Sequence, residues 1–210
     1  MFIQNKGYGS GNFGPIGITC PKCGRAGTFN KAGKEDLQFG EYWVGHRQCP
    51  NQNCNTHVFV VADAKSKEVL RTYPPLKIDF DSTDIPRSVV DTLEEAITCH
   101  ANECYVAAAI MVRRTLEEIC ADKDASGKNL KKRIESLCNK IVLPKELIEG
   151  MDDLRLLGND AAHIEARVFQ NIAKKELEIA IKFTKELLKA VYQYSSLLNE
   201  LKSLKNVHKS

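Results

Sequence analysis

Two pairs of cysteines constrain this chain more than any other feature. Cys20-Pro-Lys-Cys23-Gly24 and Cys49-Pro-Asn-Gln-Asn-Cys54 are separated by 25 residues. Each pair sits in turn-forming sequence, and a tight turn aims two sulfurs at one point. Gly24 lets the backbone fold under that point. Strand-like stretches lie between and after the pairs, around Tyr42, Trp43 and Val44 and over Thr56 to Ala62. The pattern predicts a zinc ribbon with Cys20, Cys23, Cys49 and Cys54 as ligands. Four protein ligands close the site, so the Zn²⁺ is structural. His57 is a possible substitute ligand, but as a strand residue it is expected to face solvent or to stack on the ribbon. A disulfide framework is the alternative use of such cysteines. It fits a secreted chain, and Met1 to Thr19 has no signal-peptide pattern.

Composition adds few constraints. The 210 residues are 43% hydrophobic and 27% charged, which is ordinary for a globular protein with one good-sized core and a small extra module. No apolar run is long enough to span a membrane, and a cytoplasmic location is expected. The net charge is +3. Residues 1–83 carry 10 Lys and Arg against 7 Asp and Glu, and residues 84–210 carry 20 against 20. The excess therefore lies in the N-terminal part. Four thiolates with one Zn²⁺ add two negative charges, so no strong footprint for nucleic acid remains, although a local basic patch is compatible with these numbers.

Met1 to Thr19 is rich in glycine and reads as an irregular lead-in. Residues 65–84, with Tyr73-Pro74-Pro75, read as an extended linker. From Asp84 the hydrophobic period becomes helical. Helices are predicted from Pro86 to about His100, from Glu103 to Ala121, from Asn129 to Lys140, and from Pro144 onward. A long last helix runs from near Asn171 to about Leu204. Its apolar face is broad enough for a helix buried along most of its length, or one packed on a partner subunit. Between the last two helices, Leu154-Arg155-Leu156-Leu157-Gly158-Asn159-Asp160-Ala161-Ala162-His163 is expected to break, with Gly158 at a C-cap and Asp160 as N-cap. Cys99, Cys104, Cys120 and Cys138 read as small buried hydrophobes.

That string, with Ala107 to Glu117 and the helix carrying Leu130, Ile134 and Leu137, resembles the HEPN superfamily of helical domains. The resemblance is to a bacterial domain-of-unknown-function family often attached to restriction-enzyme subunits, and it spans about residues 20–200. It implies an α+β chain: a zinc ribbon over residues 1–64, the linker over 65–84, and a four- to five-helix HEPN-like bundle over 85–206 that dimerises. Ribonucleases of the superfamily cut RNA without metal, using Arg, a polar residue, three further residues and His. The resemblance puts His163 at the histidine position and Asn159 at the polar position. The arginine position falls on Gly158, and the nearest arginine is Arg155.

That departure favours a non-catalytic binding module for nucleic acid or a protein partner, associated with restriction or phage defence. One alternative is a metal-independent endoribonuclease. It would use His163 for proton transfer, with Asn159 beside it and Arg155, Arg113 or Arg114 to stabilise the anion. The other is a nucleotide or small-anion sensor at Arg113, Arg114, Arg155 and His163. Expected partners are a second copy through the bundle, RNA or DNA, or a defence-system protein, and no membrane.

Overall fold

In the computed structural model the described residues are 8–162 and 173–207. The chain divides into two compact units, Met1–Asp79 and Phe80–Ser210. The layout is α+β, an antiparallel sheet region followed by helices.

The first unit contains β1 (Tyr8–Gly11), β2 (Ile16–Thr19), β3 (Ala26–Lys31), β4 (Asp36–Phe39), β5 (Tyr42–Gln48), β6 (His57–Asp63) and β7 (Val69–Tyr73). All pairings are antiparallel. β5 is central. β6 runs along one of its edges, and the other is shared between β4, opposite Tyr42 to Val44, and β3, opposite Arg47 and Gln48. Side chains alternate across the sheet. Val58, Val60 and Ala62 of β6 are fully buried, while the alternating His57 and Phe59 face water. Two stretches differ from expectation. The glycine-rich lead-in supplies β1 and β2, and the presumed linker supplies β7. Both pair with strands distant in sequence or set by a side-chain-held turn, which local composition does not register. In that turn Asp63 accepts hydrogen bonds from the backbone N–H groups of Lys65 and Ser66.

The second unit contains α1 (Arg87–Ala101), α2 (Tyr105–Asp122), α3 (Leu130–Cys138), α4 (Lys145–Ala162), α5 (Lys174–Leu188), a π-helical turn (Lys189–Gln193) and α6 (Tyr194–Val207). α2 packs on α1, α3, α4 and α5. Its Ala108, Ala109, Val112, Leu116 and Ile119 are fully buried, and the alanines allow close approach. Of the four helical cysteines only Cys120 is fully buried; Cys104, just before α2, is exposed.

The expected break at Gly158 is absent: α4 continues to Ala162. Gly158 is there for packing. A Cβ on it would collide with Cβ of Arg113 and come within 2.9 Å of the Ala109 carbonyl oxygen. The glycine thus lets α4 lie directly on the α2 backbone, and neither Gly158 nor Asp160 acts as a cap. Gly158→Ala is expected to cost about 1–3 kcal/mol by overpacking, despite the better helix propensity of alanine. Urea denaturation followed by helical circular dichroism measures it; a variant as stable as the parent would refute the close contact.

The last helix also differs. Burial holds through Leu187, Leu188, Val191 and Tyr192, then ends. The π-turn at that point is anchored by Tyr192, whose hydroxyl donates to Asp122 at 3.0 Å. Gln193 Nε2 donates to the carbonyls of Asp81 and Thr83 at 3.3 and 3.1 Å.

Candidate functional site

The four cysteines meet because two hairpin turns meet. Cys20 and Cys23 lie in the turn joining β2 to β3, and Cys49 and Cys54 in the turn joining β5 to β6. Pairing of β3 with β5 at Asn30–Gln48 and Lys31–Arg47 sets the turns side by side. A Cβ on Gly27, at the start of β3, would come within 2.9 Å of Pro50, so the second turn lies close against the strand that leaves the first. The second cysteine of each pair is followed by a left-handed residue, Gly24 at φ +69° and Asn55 at φ +49°. That backbone turns under the sulfurs.

The four Sγ atoms all lie within 4.8 Å of one another. Cys20 and Cys54 are 3.8 Å apart, and Cys23 and Cys49 are 3.9 Å apart. A metal bonded tetrahedrally to four thiolates at about 2.3 Å would hold its sulfurs roughly 3.8 Å apart. The cluster fits a metal ion. A backbone hydrogen bond at Arg25, with help from Asn51, pulls the Cys23 thiol down to about 6. The Thr56 hydroxyl, 3.0 Å from the sulfur, lowers that of Cys54. Burial pushes Cys49 up to about 12, a cost that a bound cation offsets. The sulfurs are continuous with the core of Ile16, Ile18, Phe29, Val58 and Val60, so metal and apolar packing form one nucleus.

His57 faces away from this cluster. Its Nδ1 lies 2.8 Å from Nε2 of His46. His46 stacks on Phe59 with ring centroids 4.8 Å apart, and Phe59 stands opposite Tyr73 in the β6–β7 ladder. Phe59 is 53% exposed and Tyr73 73%. Arg71 lies on the same face, opposite Val61. Burial and the nearby His57 and Arg47 lower the pKa of His46. The sequence allowed for His57 to stack on the ribbon; the rest of this face, Phe59 and Tyr73, escaped it, although the alternation of His57, Phe59 and Val61 along β6 marks one face.

Asp36 and Arg47 also escaped it. Both side chains are fully buried. Arg47 donates to the two carboxylate oxygens of Asp36 at 2.7 and 2.9 Å and to the carbonyl of Gly14 at 2.8 Å. Its guanidinium sits 4.2 Å from the centre of the Phe13 ring. A Cβ on Gly45 would strike Asp36, so glycine there makes room for the pair.

In the helical unit Arg155 points back one turn and pairs with Asp152 at 2.6 Å, holding that carboxyl below its usual range. Arg113 reaches Glu117 at 3.4 Å and donates to the Arg155 carbonyl at 3.3 Å. Arg114 pairs with Glu118 at 2.6 Å. Asn159 and Asp160 are half-buried in the last turns of α4, and His163 lies outside the described residues. Burial raises the thiol pKa of Cys99, Cys120 and Cys138, which makes them poor nucleophiles at neutral pH.

Residues 94–206, a little over half of the chain, match the family described as a domain of unknown function, DUF4145. The chain belongs to the DUF4145 family. The DUF4145 match begins inside α1 and runs into α6; the cysteine cluster and the sheet precede it. No curated protein and no solved structure matches the chain. No described helix is long and apolar enough to cross a membrane.

Proposed function

We propose that this DUF4145 protein is a non-catalytic module that binds single-stranded nucleic acid on the outer face of its sheet. The observation that carries this reading is the contact of the exposed His57 and Phe59 rings with the half-buried His46, with the exposed Tyr73 opposite Phe59 in the ladder. Aromatic faces in water attract bases, and stacking needs no fixed sequence. Arg71 adds a positive charge to this face, and residues 1–79 carry ten Lys and Arg against six Asp and Glu. The metal is read as structural Zn²⁺: four soft thiolates in a closed tetrahedral set suit it and leave no position for substrate. The helical unit is read as a HEPN-like bundle, supported by the Ala107–Glu117 stretch on α2 packing against Gly158 of α4. Pairing of Arg113, Arg114 and Arg155 with carboxylates favours binding over RNA cleavage or anion sensing at that cluster.

Fluorescence anisotropy of the zinc-loaded full chain with labelled single-stranded oligonucleotides tests the reading. Saturable, salt-sensitive binding is expected, weakened on the order of tenfold by Phe59→Ala or by Tyr73→Ala. Both side chains are more than half exposed, so the fold survives their loss. No binding by the parent, or parent-like affinity when Phe59→Ala and Tyr73→Ala are combined, would overturn the proposal. RNA should emerge full length; cleavage that disappears with His163→Ala would replace binding by the ribonuclease reading.

A further inference from the structure

α4 and α5 both pack on α2, and a groove of about 470 Å³ opens between them. Leu154, Leu157 and Ala180 form its floor, each 5% exposed. Ile179 and Phe183 of α5 add an apolar wall, and Ile179 keeps 59% of its surface in water. The Phe183 ring lies against Gly150 of α4, where a Cβ would strike it, so the two helices touch there. The lip has a single sign. Glu146, Glu149 and Asp153 of α4 and Glu176 of α5 line it, all of them exposed, and none of the described lining residues is Lys or Arg. Lys145 pairs with Glu149 at 3.4 Å, but the two side chains are 85 and 65% exposed. A pair so open to water is weak and yields to a better-placed cation.

We propose that this groove receives an amphipathic helix of a protein partner, its apolar face on the floor and its Lys and Arg residues on the acidic lip. Charge and spacing select this occupant. Four carboxylates around an apolar floor attract a cationic partner and repel the phosphates of nucleic acid or of an anionic membrane. Glu146, Glu149 and Asp153 follow one another at three and four residues, so they form one row about 10 Å long on α4. Basic residues recurring at three and four along a second helix match such a row. A small organic cation engages one or two carboxylates and leaves the rest of the row unused. The volume falls in the range of about 300–1,000 Å³ in which binding sites bury their ligands. This inference stands apart from the nucleic-acid reading, because it uses neither the sheet nor the metal and calls for a partner of opposite charge.

Fluorescence anisotropy of the zinc-loaded full chain tests it with two labelled helical peptides. Both carry Leu at positions i, i+3, i+4 and i+7; one has Lys and the other Glu at the flanking positions. The Lys peptide is expected to bind saturably, and the Glu peptide at least tenfold more weakly. Glu149→Lys combined with Asp153→Lys should weaken the Lys peptide at least tenfold, and so should Ile179→Asp, which removes the apolar wall. Glu94→Lys with Glu95→Lys makes the same change of charge on α1, away from the groove, and should leave affinity within about twofold of the parent. All five side chains are exposed, so the helical circular dichroism should be unchanged in every variant. No saturable binding of the Lys peptide, equal binding of both peptides, parent-like affinity in Ile179→Asp, or equal loss in the α1 variant would each overturn the proposal.

Discussion

Cys49→Ser is expected to abolish metal binding and unfold the β unit, while the helical unit keeps its helices. Cys49 is 3% exposed and lies where β5 enters the second turn. It touches the core of Ile18, Phe29 and Val58 as well as the sulfur cluster. Structural zinc contributes about 10–16 kcal/mol to small domains, as much as the whole stability of a typical fold. A sheet of this size has little reserve once the metal is lost. Metal analysis gives the first readout. The second is Trp43, the single tryptophan, which lies in β5 and therefore reports on the β unit alone. Its emission should shift to that of a solvated indole, while the far-ultraviolet helical signal persists. Chelation of the parent should do the same. Native Trp43 emission in a metal-free variant would mean that the four thiols pack without an ion.

The cysteine cluster was legible in the sequence because both halves are local. Two residues or four between cysteines, with Pro and Gly or Asn nearby, define a turn without knowledge of the rest. The helices were legible because their period is local too; α1 to α3 fall within a few residues of their expected spans, and α4 begins where expected but runs on past Gly158. What was not legible depends on contacts across the fold. Gly158 looks the same in sequence whether it ends a helix or admits a neighbouring backbone, and only the position of Ala109 and Arg113 decides. Gly9 and Gly11 look irregular, but β1 forms because β4 presents a pairing edge. The π-turn has no residue signature of its own. The α6 stripe was read correctly as apolar, and the sequence left open whether its own chain or another would cover it.

Arg47→Ala is expected to cost the β unit about 3–5 kcal/mol, the usual penalty for leaving a buried charge unpaired. It lies at a core-facing position of β5, in step with Trp43 and Gly45, where an apolar residue would be expected. Removing it leaves the Asp36 carboxylate, among the described residues, with the Phe13 N–H at 3.1 Å as its one donor, and takes the donor from the Gly14 carbonyl. Asp36→Leu alone should be comparably harmful, because it leaves the guanidinium buried without its anion. The combination of Arg47→Met with Asp36→Leu removes both charges and should lose less than the sum of the single changes. Denaturation followed by Trp43 emission in the zinc-loaded chain measures all of these. A strongly sub-additive cycle would show that the pair is costly to break and cheap to replace. Its role would then be to specify register, since Asp36 lies on β4, Arg47 on β5 and Phe13 ahead of β2. Additive losses would instead mean that each side chain is held by its backbone partners, and that the ion pair contributes little by itself.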